Sequence, residues 1–244
     1  MKAKLSIITI CYNDRAALER TLASVRAQTV QDFEHIIVDG GSTDGTLELI
    51  EQNEDRITKW VSEQDGGIYD AQNKGWRMAD TEFVQFLNAG DLLAGPTVLE
   101  QVMPQLTDTT EIAFGDADLS NAQGMIGKKV HPVRITSAYL MRETVAHQSQ
   151  FIRKALLEKV GGYDTNYRIA ADYAFLARAC WELGVVPQYL GLTVSAFDME
   201  GLSSRPDQKE ASALERKAIQ RIYAPSFWYN LYHVYATFNR LIGR

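Results

Sequence analysis

Over its first 110 residues the chain alternates apolar, β-branched runs with segments of helical spacing, and this constrains the fold most. Leu5–Cys11 (LSIITIC) is apolar almost throughout, as expected of a strand covered on both faces. Asn13-Asp14 supplies an N-cap, and Leu18, Leu22 and Val25 follow on one helical face. Phe33–Val38 predicts a second strand, with Thr43 or Asp44 capping a helix through Leu47 and Ile50. Lys59–Ser62 predicts a third strand, Asp65-Gly66-Gly67 a turn, and Ile68–Ala79 a helix. Phe83–Leu87 predicts a fourth strand, and Pro96 opens a further helix where its missing N–H costs little. Such alternation calls for an α/β fold: a Rossmann-like, mostly parallel central sheet with helices on both faces.

Ligands on such sheets bind at the carboxyl ends of the strands. Here each strand end is polar: Cys11-Tyr12-Asn13, Asp39-Gly40-Gly41, Glu63-Gln64-Asp65 and Asn88 to Asp91. Beyond Ile112 the pattern is less regular. Ile112–Phe114 and Lys129–Val133 read as strands, and Ala170–Leu183 as a helix with Tyr173, Leu176, Ala177 and Cys180 on one face. Val185–Phe197 reads as extended, Ser203–Asp207 as a loop and Asp207–Tyr223 as a polar helix. Pro225 starts a last, aromatic helix.

With 31 acidic against 25 basic residues the net charge is −6, which disfavours a nucleic-acid partner. Two cysteines, Cys11 and Cys180, make no disulfide framework and read as small buried hydrophobes in a reducing compartment. The N-terminal apolar run is too short for a signal peptide, and no run of 18 apolar residues is present. The expectation is a cytoplasmic protein. From Arg216 onward there are five basic residues, no acidic one and seven aromatics.

Three short stretches carry chemistry. Val38–Thr46 (VDGGSTDGT) follows a strand and opens a helix, a place where backbone N–H groups favour an anion, but it is not the G-x-G-x-x-G dinucleotide fingerprint. Its residues serve equally as a capped turn. Asn88-Ala89-Gly90-Asp91 is either a plain turn or a corner for a hard divalent cation, with one carboxylate completed by phosphate and water. Asp172, near a helix start, suits a general base in a cleft, or a charge placed to favour the helix dipole. His147-Gln148 suits an acceptor or metal contact, or a histidine bonded within the domain.

Taken with Ile10–Asn13, Ser62–Gly75, Phe86–Asp91, His147-Gln148 and Ala171-Asp172, these stretches resemble the family-2 glycosyltransferases. Within them the chain is most similar to the bacterial branch that builds colanic-acid-like exopolysaccharide, capsule or O-antigen. The resemblance implies a GT-A fold over residues 1–205, with a nucleotide-binding half (1–110) and an acceptor half (111–205), and a C-terminal helical, basic-aromatic tail (206–244). It also implies inverting transfer of a hexosyl or N-acetylhexosaminyl group from a nucleotide-diphosphate donor, UDP rather than GDP, to a saccharide hydroxyl, with the acceptor on a polyprenyl lipid. Thr9, Ile10 and Tyr12 would line the uracil and ribose pocket. Asp39 would bond the base or ribose, and Asp65 with Gly67 would close the other side. Asn73 and Lys74 would hold the neighbouring loop or reach phosphate. Asp91 would hold Mn²⁺ or Mg²⁺, and Asn88 would bond ribose or a metal-bound water. Asp172 would be the base, and His147 and Gln148 would meet the acceptor. The family's metal motif carries two carboxylates that Asn88 and Gly90 replace here. A catalytically inert sugar-nucleotide-binding or scaffold subunit is therefore the alternative.

In the tail, Phe227, Leu231, Val234, Phe238 and Leu241 form one helical stripe flanked by Trp228, Tyr232 and Tyr235. Such a helix suits a membrane interface, with basic residues drawn to anionic lipid. Residues 221–244 are thus expected to touch the inner membrane or a second copy of the chain. Gly201, Ser203 and Arg205 are expected in a loop that either closes over the diphosphate or is a plain surface loop.

Overall fold

The computed structural model describes residues 3–121, 124–198 and 206–241. Its centre is a nine-stranded sheet. The first half is as the alternation requires: β1 (Leu5–Cys11) pairs in parallel with β2 (Glu34–Asp39) and β4 (Phe83–Phe86), and β2 with β3 (Lys59–Ser62). Helices α1 (Arg15–Arg26), α2 (Thr46–Glu51) and α3 (Ile68–Met78) are the crossovers. Asp14 caps α1, accepting from Ala17 N–H at 3.2 Å. Gly45, not Thr43 or Asp44, occupies the N-cap of α2, and Asp44 accepts from Thr46 N–H instead.

Strand alternation sorts β1 between two layers. Ile8 and Ile10 face α3 in a core with Val38, Trp76 and Phe86. Leu5 and Ile7 face the opposite layer, with Val25 of α1 and Leu99 of α4 (Val98–Val102). Gly75 of α3 lies so close to β1 that a Cβ there would meet Ile8 Cγ2 at 2.3 Å.

Beyond β4 the sheet is mixed. Its order runs β3-β2-β1-β4-β8-β6-β9-β5, with β5 Leu92–Leu93, β6 Ile112–Asn121, β8 Gln150–Arg153 and β9 Gln188–Asp198. β8 is antiparallel to both β4 and β6, whereas β9 is parallel to β6. β7 (Gly124–Lys129) pairs with β6 as a hairpin arm. The strand expected at Lys129–Val133 therefore ends where it was placed to begin. Past Lys129 the backbone leaves the ladder: His131 N–H donates to Asp116 Oδ1 at 2.9 Å, and Pro132 has no N–H to give. Short helices α5 (Ser137–Leu140) and α6 (Lys154–Val160) precede α7 (Ala171–Trp181), which is buried on nearly every side.

α8 (Pro206–Tyr223) is fastened to this body. Ile219 is fully buried among Tyr173, Ala174 and Ala177, and Gln220 donates to the carbonyl of Met141 at 3.1 Å. α9 (Ser226–Leu241) differs: Phe227, Leu231, Val234 and Tyr235 are exposed on it. Among the described residues no helix is long and apolar enough to cross a membrane. Both cysteines are free, and burial pushes the Cys180 thiol up to about 12.

Candidate active site

A cavity of about 310 Å³ opens at the strand ends, between the Asn88 turn, the start of α3, the segment 144–148, the start of α7 and α8. Asp172 reaches it from the first turn of α7. The hydroxyl of Tyr69, in the first turn of α3, lies 3.1 Å from Asp172 Oδ1 and 2.6 Å from the Ile169 carbonyl. Burial, then the Asp172 carboxylate, raises the Tyr69 phenol well above its ordinary value, so Tyr69 stays a proton-bearing donor.

On the other side of Asp172 stands His147. Its Nδ1 is 3.7 Å from Asp172 Oδ2, and its Nε2 is 3.1 Å from Asn88 Nδ2. Asn88 Oδ1 accepts in turn from Gln72 Nε2 at 3.1 Å. A polar chain thus runs Gln72–Asn88–His147–Asp172–Tyr69 across the cavity wall. Burial lowers the His147 pKa and outweighs the pull of Asp172, which favours the neutral ring. Gln72 Oε1 is buried with no hydrogen-bond partner among the described residues, an acceptor left facing this wall.

Asp91 is nearly buried and lines the same cavity. Its turn is fixed by its own N–H donating to Asn88 O at 2.9 Å and by Thr21 Oγ1 donating to Asp91 O at 2.9 Å. Among the described residues no three His, Cys, Asp or Glu side chains stand close enough to hold a metal ion by themselves. The donor set is one hard carboxylate, the Asn88 amide and the unpartnered Gln72 oxygen. It fits a hard cation that takes its remaining ligands from phosphate and water.

The nucleotide residues expected from the sequence fall into two groups. Tyr12, Asp65 and Gly67 meet at the ends of β1–β3. A Cβ on Gly40 would come 2.7 Å from Asp65 Oδ2 and 3.1 Å from Tyr12 Cδ2, so a side chain there would make Asp65 or Tyr12 shift. Asp65 Oδ1 accepts from Gly67 N–H at 2.8 Å, and Tyr12 is open to solvent. Thr9, Ile10 and Asn73 turn inward. Thr9 is fully buried against His35 Nε2 at 3.0 Å, and Ile10 packs in the core under α3. Asn73 is spent on Tyr163: it donates to its carbonyl at 2.8 Å and accepts its N–H at 2.9 Å. Neither Thr9 nor Asn73 has a side-chain group left for a nucleotide. Asn73 does hold a neighbouring loop.

Asp39 is completely buried and accepts from Gly41 N–H, Ser42 N–H, the Ser42 hydroxyl and the Ser62 hydroxyl. Its carboxylate builds the strand-end turn, and a base or ribose would have to displace a hydroxyl to reach it. Lys74 donates to Gln64 O at 3.1 Å and pairs with Glu63 at 2.9 Å, and that pairing raises its pKa. It braces the 63–65 loop. Gln148 lines the cavity beside His147, and its carbonyl accepts from Gln85 Nε2 at 2.8 Å. Gly201, Ser203 and Arg205 lie outside the described residues.

Sequence reading missed several cavity residues: Gln72, Lys129, Arg168 and Arg216, and a role for Tyr69. Tyr69 and Gln72 stand three apart on α3, a spacing that places them on one face and was available as a signal. The other three converge only through tertiary packing.

Comparisons with known proteins identify the family and the fold. The model of glycosyl transferase family 2 matches residues 6–174. An uncharacterised glycosyltransferase of Mycobacterium tuberculosis is 34% identical over 215 residues, 86% of this chain and 79% of its own. A PGL/p-HBAD biosynthesis glycosyltransferase of Mycobacterium bovis is 30% identical over 211 residues, 84% of this chain and 81% of its own. S. aureus TarS 1–349 in complex with UDP-GlcNAc shares the fold at a TM-score of 0.69 and 18% identity, over 91% of this chain and 68% of that one. The match spans 36% of a longer TarS chain. The mannosyltransferase PcManGT from Pyrobaculum calidifontis, in complex with GDP-Man and Mn²⁺, aligns at 0.62 and 16% identity, over 97% of this chain and 80% of that one. The fold is GT-A, and the chain belongs to glycosyl transferase family 2.

Proposed function

We propose that this glycosyltransferase moves a hexosyl or N-acetylhexosaminyl group from a UDP-sugar to a hydroxyl of a lipid-linked saccharide, with inversion, during assembly of a bacterial surface glycoconjugate. The observation that carries the reading is the meeting of Asp172, His147, Asn88 and Asp91 on one cavity at the strand ends. The UDP-GlcNAc bound by TarS supports a UDP donor, and the PGL/p-HBAD relative supports a glycolipid acceptor. An exopolysaccharide, capsule or O-antigen acceptor shares that chemistry, since each is a saccharide built on a lipid.

In this reading the nucleoside lies along Tyr12, Gly40 and Asp65, and the diphosphate reaches the Asn88–Asp91 turn. A divalent cation held there by Asp91 and the diphosphate oxygens would offset the charge of the departing diphosphate. Asp172 accepts the acceptor hydroxyl's proton as that oxygen bonds to the anomeric carbon and the bond to the diphosphate breaks on the opposite face. Tyr69 holds one carboxylate oxygen of Asp172, and His147 stands against the other. The exposed aromatic stripe of α9, with Lys217 and Arg221 preceding it, suits a membrane interface where the acceptor resides. Co-sedimentation with anionic vesicles tests that placement, and a stable dimer that ignores vesicles contradicts it.

The direct test is turnover of a panel of UDP-, GDP- and dTDP-sugars with Mn²⁺, Mg²⁺ or EDTA. Cation-dependent use of a UDP-sugar is the expected result. Binding of no donor under any condition favours the inert-scaffold alternative.

A further inference from the structure

Lys129 on β7, Arg168 in the loop before α7 and Arg216 on α8 all line the cavity that holds Asp172. Several basic side chains elsewhere on the body are paired, among them Arg153 with Glu82, Arg178 with Glu182 and Lys59 with Asp80. These three have no acidic side chain within ion-pair distance among the described residues. At Lys129 the acids whose fields reach it are Glu143 and Asp172, and neither is within ion-pair distance. Burial nevertheless lowers the Lys129 pKa, so its ammonium bears a desolvation cost without a bonded counter-ion. Three cations share the cavity with the carboxylates of Asp91 and Asp172, and none of the three is bonded to an acid among the described residues, in a chain whose overall balance is acidic.

Their placement is fixed, not incidental to long side chains. Glu215 accepts the backbone N–H groups of Arg168, Ile169 and Ala170 at 2.8, 3.0 and 2.8 Å. That clamp ties α8 to the loop that carries Arg168 and precedes Asp172. The next residue, Arg216, lays its guanidinium over Tyr173, 4.3 Å from the ring centroid. Lys129 arrives from the far part of the sheet, since β7 is reached from β1 only through β4, β8 and β6. The nucleotide edge at Tyr12, Gly40 and Asp65 is at the other end of that path.

We propose that Lys129, Arg168 and Arg216 form a subsite for a phosphoryl group carried by the acceptor. Guanidinium forks and an ammonium suit phosphate oxygens, and an anion there supplies the missing counter-charge. The inference rests on the glycosyl-transfer reading and names the acceptor class: a saccharide joined to its lipid through phosphate or diphosphate. A donor diphosphate has the same chemistry, so the test separates the two sources.

The probes are UDP, decyl diphosphate and, as a neutral control, decyl β-glucoside, each titrated calorimetrically with Mn²⁺ present. Decyl diphosphate is titrated into protein already saturated with UDP. The wild-type chain should bind it at least 10-fold more tightly than the glucoside. Lys129→Ala/Arg168→Ala, which leaves the Glu215 clamp and the Arg216–Tyr173 contact in place, should lose that preference while its UDP affinity stays within 2-fold. Unchanged decyl diphosphate binding in the double variant overturns the subsite. A parallel fall in UDP affinity overturns it in favour of the donor's diphosphate. If UDP and UDP-sugars bind to neither protein, the glycosyl-transfer reading itself fails, an outcome distinct from the other two.

Discussion

His147 Nδ1 lies 3.7 Å from Asp172 Oδ2, while Nε2 on the opposite side of the ring meets Asn88 Nδ2 at 3.1 Å. One imidazole therefore spans the gap between the strand-end turn that carries Asp91 and the helix start that carries Asp172. In the proposed reaction these are the leaving-group corner and the base, and the imidazole stands between them. On the free side of Asp172 stands Tyr69.

Tyr69→Phe removes only the hydroxyl that reaches Asp172 Oδ1 and the Ile169 carbonyl. A hydrogen bond to a charged group is worth about 1.5–3 kcal/mol, so turnover should fall by roughly 10-fold or more. Donor affinity, measured by titration of UDP, should stay within 2-fold. A variant with full turnover would show that Asp172 is oriented without Tyr69.

Glu215→Ala should loosen the start of α7 from α8. Three N–H groups, one exposed and two part-buried, lose their acceptor, and about 1–3 kcal/mol of unfolding free energy should go with them. Urea titration measures this. Glu215→Gln keeps an oxygen acceptor and should recover part of the loss. Equal stability of all three proteins would mean that water replaces the clamp.

Acid should destabilise the fold through His35. Burial, aided by Arg26, lowers its pKa from 6.5 to about 4, while the unfolded chain keeps the ordinary value. Above pH 6.5 neither state is protonated and the term vanishes. Below it the unfolded state takes up a proton that the native state refuses, so stability falls as pH drops from 6.5 towards 4. By pH 5 the contribution is about 2 kcal/mol. Comparing wild type with His35→Gln at pH 7.5 and 5 isolates it: the wild type should lose that much more. Parallel losses would contradict the assignment.

The sequence made the parallel half of this fold legible because apolar, β-branched runs alternate with segments of helical period through Phe86. Its four polar strand ends announced a site. What it could not give was side-chain direction. Thr9 and Asn73 carry the right chemistry at the right edge, yet sheet alternation buries one against His35 and helix phase commits the other to Tyr163. Asp39 is at the edge and still consumed by its own turn. The mixed second half was less readable because β6 is held by β8 and β9 from far along the chain. Lys129, Arg168 and Arg216 stand 39 and 48 residues apart in the chain; the β6–β7 pairing brings Lys129 to Asp172 and the packing of α8 on α7 brings Arg216.

The central claim is that Asp172 removes the acceptor's proton in a glycosyl transfer. Asp172→Asn keeps the size of the side chain and takes away its basicity. Turnover of a UDP-sugar onto a lipid-linked saccharide should fall by about 10²–10⁴-fold while UDP binds as before. Wild-type turnover by this variant would contradict the account.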